Sequence, residues 1–106
     1  MPADSTGSLR PRDVQALVAA VLDSAGETAS DLRRGLATGG EVPADLAVYA
    51  DKVLRHAYKV TEKDLVILRQ AGYSENAIFE VTLSLALGAA LARLDAGLRA
   101  LEGDRR

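Results

Sequence analysis

From Pro11 to Ala25 the apolar positions Val14, Leu17, Val18, Val21 and Leu22 recur at intervals of three and four, which puts them in one stripe on a helix. Pro11 suits the first turn of that helix and Gly26 its end. A shorter, weakly amphipathic helix is predicted over Ser30 to Ala37, where Leu32 and Leu36 share a face with Arg33 and Arg34 beside them. Gly39 and Gly40 break it. Pro43 then opens a helix running to about Lys59, with Leu46, Tyr49, Ala50, Val53, Leu54 and Ala57 turned inward and Asp51 and Arg55 paired outward at i,i+4.

Thr61 is an apt N-cap for a helix over Glu62 to Ala71, with Asp64 at the third position, where an acid favours a helix start, and Gly72 free to take the left-handed closing conformation. Ser74 caps the last and longest helix, Glu75 to about Leu101. Its row Phe79, Leu83, Leu87, Leu91, Leu94, Leu98 and Leu101 keeps a helical spacing from end to end. Between Val81 and Ala92 this helix is apolar or small on every side, which calls for neighbours on all faces. Four short companions cannot supply them, so a second copy of the chain is expected to, giving a homo-oligomer with this helix or its neighbours at the interface. Ser84, Gly88 and Ala92, at i, i+4 and i+8, form a groove of small side chains. With Leu87 and Leu91 they are the residues expected at a close helix contact, within the subunit or between subunits.

Composition supports an all-α fold of about five helices in a single domain, residues 10–102, preceded by a mobile tail over residues 1–9. Alanine (19) and leucine (16) supply a third of the 106 residues, and both are strong helix formers. Only 4 residues are aromatic, so the core must be built mainly from aliphatic side chains. The net charge of −2 provides no basic field to attract a nucleic-acid backbone, and a protein partner is the more natural expectation. Met1 to Arg10 contains no apolar run of the targeting type, and Val81 to Ala92, the longest charge-free stretch, has 12 residues where a membrane span needs about 20. A cytoplasmic protein that does not enter a membrane is therefore expected.

The run Thr61-Glu62-Lys63-Asp64-Leu65, continued by Leu68-Arg69-Gln70-Ala71-Gly72-Tyr73-Ser74-Glu75-Asn76-Ala77-Ile78-Phe79-Glu80-Val81, resembles the carboxymuconolactone decarboxylase and alkylhydroperoxidase D-like superfamily. Arg93-Leu94-Asp95-Ala96-Gly97-Leu98 is similar to the end of the long helix in the peroxidase-related branch, and Tyr49 to Leu54 to the helix leading into the motif. The resemblance spans roughly Ala44 to Leu101 and implies an all-helical, oligomeric fold. In peroxidase members it also implies a Cys-x-x-Cys pair, with a nearby His and Glu, that reduces peroxides. This chain has no cysteine. A serine cannot replace a thiolate in a redox cycle, so the peroxidase activity does not carry over.

Chemistry without thiols leaves three candidates. His56 is the one side chain that ordinarily titrates near neutrality, and Glu80 lies in an apolar helix where burial is expected to raise its pKa toward use as a general acid. Arg93 is a candidate to neutralise Glu80 or to bind a carboxylate. Each has a structural alternative: a solvated or capping His56, an ordinary stripe-edge Glu80, an ion-paired Arg93. A helix-turn-helix reader of DNA is disfavoured because Ser74 to Ala92 contains no Lys or Arg. The basic residues Arg33, Arg34, Lys52, Arg55, Lys59 and Lys63 are interspersed with acids and read as a mixed solvated surface. A di-iron bundle needs two Glu-x-x-His pairs, and no phosphate loop or dinucleotide fingerprint occurs, so no metal and no cofactor is expected.

Two readings follow. The first is a noncatalytic oligomeric scaffold, or a module that binds a protein partner or a small apolar ligand. The second is a thiol-independent lyase or isomerase using Glu80, His56 and Arg93, which requires those side chains to converge on one cavity.

Overall fold

The computed structural model describes residues 11–104, and the expected tail over residues 1–9 lies outside them. Five α-helices follow one another, with no strand among the described residues: α1 (Pro11–Leu22), α2 (Ser30–Thr38), α3 (Ala44–Arg55), α4 (Glu62–Gln70) and α5 (Glu75–Asp104), with a 3-10 turn at Ala57–Lys59 between α3 and α4.

The boundaries are set by local chemistry. Gly39 ends α2 at φ 76°, and Gly72, at φ 106°, closes the turn after α4, where Tyr73 N–H bonds back to the Leu68 carbonyl at 3.1 Å. Asp64 accepts the Thr61 N–H at 2.8 Å and the Lys52 ammonium at 2.8 Å, so the start of α4 is tied to α3. Ser74 Oγ accepts the Ala77 N–H at 3.0 Å and caps α5 as expected. The Asp51–Arg55 pair also forms, at 3.0 Å on the solvent side.

Two helices stop earlier than the periodicity suggests. α1 ends at Leu22 rather than Ala25, because the Ser24 hydroxyl turns back onto the Ala20 carbonyl and the Arg33 guanidinium takes the Val21 carbonyl at 2.7 Å. α3 ends at Arg55 rather than near Lys59. His56 leaves the helical region at φ −144°, ψ 53°, and Lys59 N–H bonds to its carbonyl to form the 3-10 turn. Leu54, in the last turn of α3, and Ala57, in the 3-10 turn, were expected inside and are exposed, as is Leu17 of α1.

The core is aliphatic and lies along one side of α5. Leu36, Leu46, Tyr49, Ala50, Leu68, Ile78, Val81 and Leu85 form its buried cluster, with Leu32, Val42, Val53, Val60, Leu65 and Tyr73 packed at the margin. α2 lies closest to α5: an added Cβ at Gly88 would sit 2.1 Å from the Ala37 carbonyl oxygen and 2.6 Å from its Cα. No side chain fits there, so Gly88 lets the two backbones touch. Tyr49 reaches over from α3 to the Thr82 hydroxyl at 2.6 Å. Because Thr82 donates its own proton to the Ile78 carbonyl, the Tyr49 O–H is the donor.

The small-residue groove therefore divides. Ser84 and Gly88 are buried within the subunit, Leu87 and Leu91 are half-buried, and Ala92 is exposed. Beyond Leu91 every described side chain of α5 is exposed, and the overhang accounts for the 50 × 28 × 23 Å envelope.

The charge-free stretch was expected to be a buried segment, but it is covered on one side only. By length and composition α5 is apolar enough to cross a membrane, with mean hydropathy 1.6 over a window only 28% buried. The apolar span extends past the charge-free 12 residues because Ala77, Ile78, Phe79 and Leu94 offset Glu80 and Arg93.

Candidate functional site

Glu80 sits where α5 passes the loop between α1 and α2. One carboxylate oxygen accepts the Glu27 N–H at 2.9 Å, and the other accepts the Thr28 N–H at 2.8 Å together with the Thr28 hydroxyl. Gly26 allows the approach, since an added Cβ there would lie 2.7 Å from the carboxylate. These donors favour the charged form, led by the Thr28 hydroxyl, with further help from the two amides and the positive field of Arg33. They outweigh the opposing effect of burial. The Glu80 pKa is therefore lowered, the reverse of the shift expected from an apolar helical setting, and the carboxylate at neutral pH is an acceptor rather than an acid.

Arg33 completes the arrangement from the other side of the loop. Its side chain, only 3% exposed, donates to the carbonyls of Val21, Ser24 and Thr28, although its Nε has no partner. The expectation that Arg33 belongs to a solvated mixed surface is thus corrected. A guanidinium carries donors in a planar fork, and the unpaired carbonyls at the end of α1 supply acceptors that water would otherwise have to reach. Its neighbour Arg34 does stay at the surface, paired with Asp23.

The remaining candidates lie elsewhere. His56 is the half-buried residue that follows the last turn of α3, its ring edge-on to Tyr58 with centroids 6.0 Å apart. Arg93 is exposed thirteen residues beyond Glu80 on the same helix, a rise of about 20 Å. The Glu80 carboxylate is occupied by the loop amides, and the hollows beside Phe79, Tyr49, Tyr73 and Val42 are lined by none of Glu80, His56 and Arg93. No cluster of three or more potential metal ligands occurs among the described residues either.

What α5 offers instead is surface. At 3.6 residues per turn, Ala77, Ile78, Val81, Ser84, Leu85 and Gly88 fall in one sector, and all are buried. The opposite sector, about 80° wide, holds Phe79, Leu83, Ala86, Ala90, Leu94, Gly97 and Leu101. Phe79 is 65% exposed, Leu83 39%, Leu94 45% and Leu101 57%, while Leu98, on the edge, is 52% exposed. Much of the leucine row legible in the sequence is thus turned away from the four short helices, and no charged residue interrupts the face for about 33 Å. At its N-terminal end it borders a hollow of about 300 Å³ lined by Leu65, Arg69, Glu75, Ile78 and Phe79.

Thr28, Gly26 and the Tyr73–Asp45 hydrogen bond of 2.8 Å are functional in the architectural sense and were not legible beforehand. Burial and the Asp45 carboxylate push the Tyr73 phenol up to about 12. An isolated threonine in a Ser/Thr/Asp-containing loop carries no sign that it will meet a carboxylate 52 residues later.

No protein-family model, no curated protein and no solved structure matches the chain.

Proposed function

We propose that this chain is a noncatalytic helical scaffold that works as a cytoplasmic homo-oligomer, built on an alkylhydroperoxidase D-like arrangement of helices that has no thiol chemistry. The observation that carries the reading is the outward face of α5, where large apolar side chains stand in solvent along the entire helix. The largest contiguous apolar patch on a monomeric protein is typically about 300–600 Å² and is often functional, and the face of α5 is a patch of that size.

The polar candidates support the same reading. Glu80 and Arg33 are consumed in holding the α1–α2 loop against α5, which is the work of a framework. Insertion of α5 into a bilayer is a poor competitor. The residues that make the window apolar include Val81, Leu85 and Gly88, and those are packed against the rest of the chain and would have to be stripped from the core.

Multi-angle light scattering of the pure protein tests the proposal. A mass of two or more chains at micromolar concentration is expected, and a monomer at that concentration refutes it. Peroxide turnover by the pure protein would be equally decisive against the noncatalytic role.

A further inference from the structure

We infer that the outward face of α5 pairs with the same face of a second copy, antiparallel and centred on Ala90. The inference rests on the self-association proposed above and specifies its surface, direction and register.

The first ground is size. Taking a fully exposed large apolar side chain as about 200 Å², the exposures of Phe79, Leu83, Leu94, Leu98 and Leu101 amount to roughly 500 Å² per copy, so full burial of both faces removes about 1,000 Å² from water, the least that a biological interface should clear. The second ground is shape. In an antiparallel pair centred on Ala90, Leu83 lies level with Gly97 of the second copy, Ala86 with Leu94, and Phe79 with Leu101. Large side chains then face small ones at Leu83–Gly97 and Ala86–Leu94 on either side of Ala90, where the axes can close together, and a Phe79–Leu101 contact closes the seam at each end. A parallel pair sets Leu83 against Leu83 and Leu94 against Leu94. Those contacts hold the helices apart and leave voids at Ala86, Ala90 and Gly97, each costing packing free energy.

The third ground is the hollow beside Phe79. Antiparallel pairing brings Leu101 of the second copy to the level of that hollow, whose apolar walls are Leu65, Ile78 and Phe79. The overhang that has no cover in one subunit thus lies along the body of the other. Arg93 stands about 20° outside the seam and is exposed, so its guanidinium stays in solvent beside the pair. Asp95 and Arg99 pair with each other at 3.0 Å and, with Glu102, lie on the side of α5 that continues the buried sector.

The absence of cysteine makes a clean test possible. A single Glu102→Cys variant carries one spin label per chain, on a residue outside the seam. Antiparallel pairing about Ala90 separates the two labels by about 36 Å along the axis, whereas parallel pairing brings them within about 20 Å. A short distance overturns the inference and leaves the oligomer intact. A monomeric protein overturns both.

Leu94→Lys, in the exposed overhang, is expected to halve the mass while leaving the helical circular dichroism of the body unchanged. An unchanged mass assigns the oligomer to another surface and overturns the inference. Gly97→Leu provides a second readout that does not depend on Leu94. It collides with Leu83 of the second copy in the antiparallel pair and weakens association at least tenfold, whereas a parallel pair would gain a filled void and tighten.

Discussion

Glu80 and Thr28 join the middle of the longest helix to the loop between the first two, with both the backbone N–H and the hydroxyl of Thr28 donating to a single carboxylate oxygen. Hydrogen bonds to a charged acceptor stabilise by about 1.5–3 kcal/mol, roughly twice the neutral case, so this contact is a principal restraint on a loop with little apolar burial of its own.

Glu80→Gln is expected to destabilise the protein by about 1–3 kcal/mol at pH 7, measured by urea unfolding. The pH dependence has a definite sign. Folding lowers the Glu80 pKa from its ordinary 4.5, so its contribution is fully present above that value and disappears as pH falls through the folded value. The gap between wild type and Glu80→Gln should therefore narrow below about pH 4.5. A gap that widens in acid contradicts the assignment of Glu80 as a charged acceptor.

Arg33 and Arg34 are adjacent in sequence and opposite in consequence. Arg33→Met leaves the carbonyls of Val21, Ser24 and Thr28 without their donor in a buried setting, and a loss of about 2–4 kcal/mol is expected. Arg34→Met removes an exposed, solvent-screened pair with Asp23 and should leave the melting temperature close to that of the wild type. Thermal melts of the two variants read the contrast directly.

Two glycines in α5 make a second matched pair. Gly88→Ala forces a methyl group onto the backbone of Ala37, and the resulting displacement of α2 is expected to cost about 1–3 kcal/mol beyond the gain in helix propensity. Gly97 has open space around its Cβ direction within the subunit, so Gly97→Ala should stabilise the isolated chain by up to about 1 kcal/mol. Measuring both at low protein concentration keeps association out of the comparison.

Tyr73 reports on the turn between α4 and α5. Its pKa is raised, first by burial and then by the Asp45 carboxylate, so folding favours the neutral phenol and this contribution fades as pH rises through about 12. Tyr73→Phe should remove that last step from an ultraviolet pH titration. If the step near pH 12 persists in the variant, it belongs to another group.

Much of the architecture was legible because each short helix carries its own signals. The stripe of α1, the Thr61 and Asp64 start of α4, the Ser74 cap and the glycines at 39 and 72 all act within a few residues, where local geometry decides the outcome. The phase of α5 was not legible. A helix that is apolar around its whole circumference contains no polar side to mark the solvent, so periodicity revealed the row from Phe79 to Leu101 but not which way it faces. The roles of Arg33 and Glu80 were also hidden, for a different reason. Both depend on backbone amides and carbonyls of a distant loop, and backbone groups are the same at every position.

The contact between Gly88 and Ala37 makes α2 and the middle of α5 a single stiff member, because main chains in van der Waals touch have no side chain to yield between them. The sixteen residues of α5 that follow Gly88 project about 24 Å beyond that fixed contact as a lever arm.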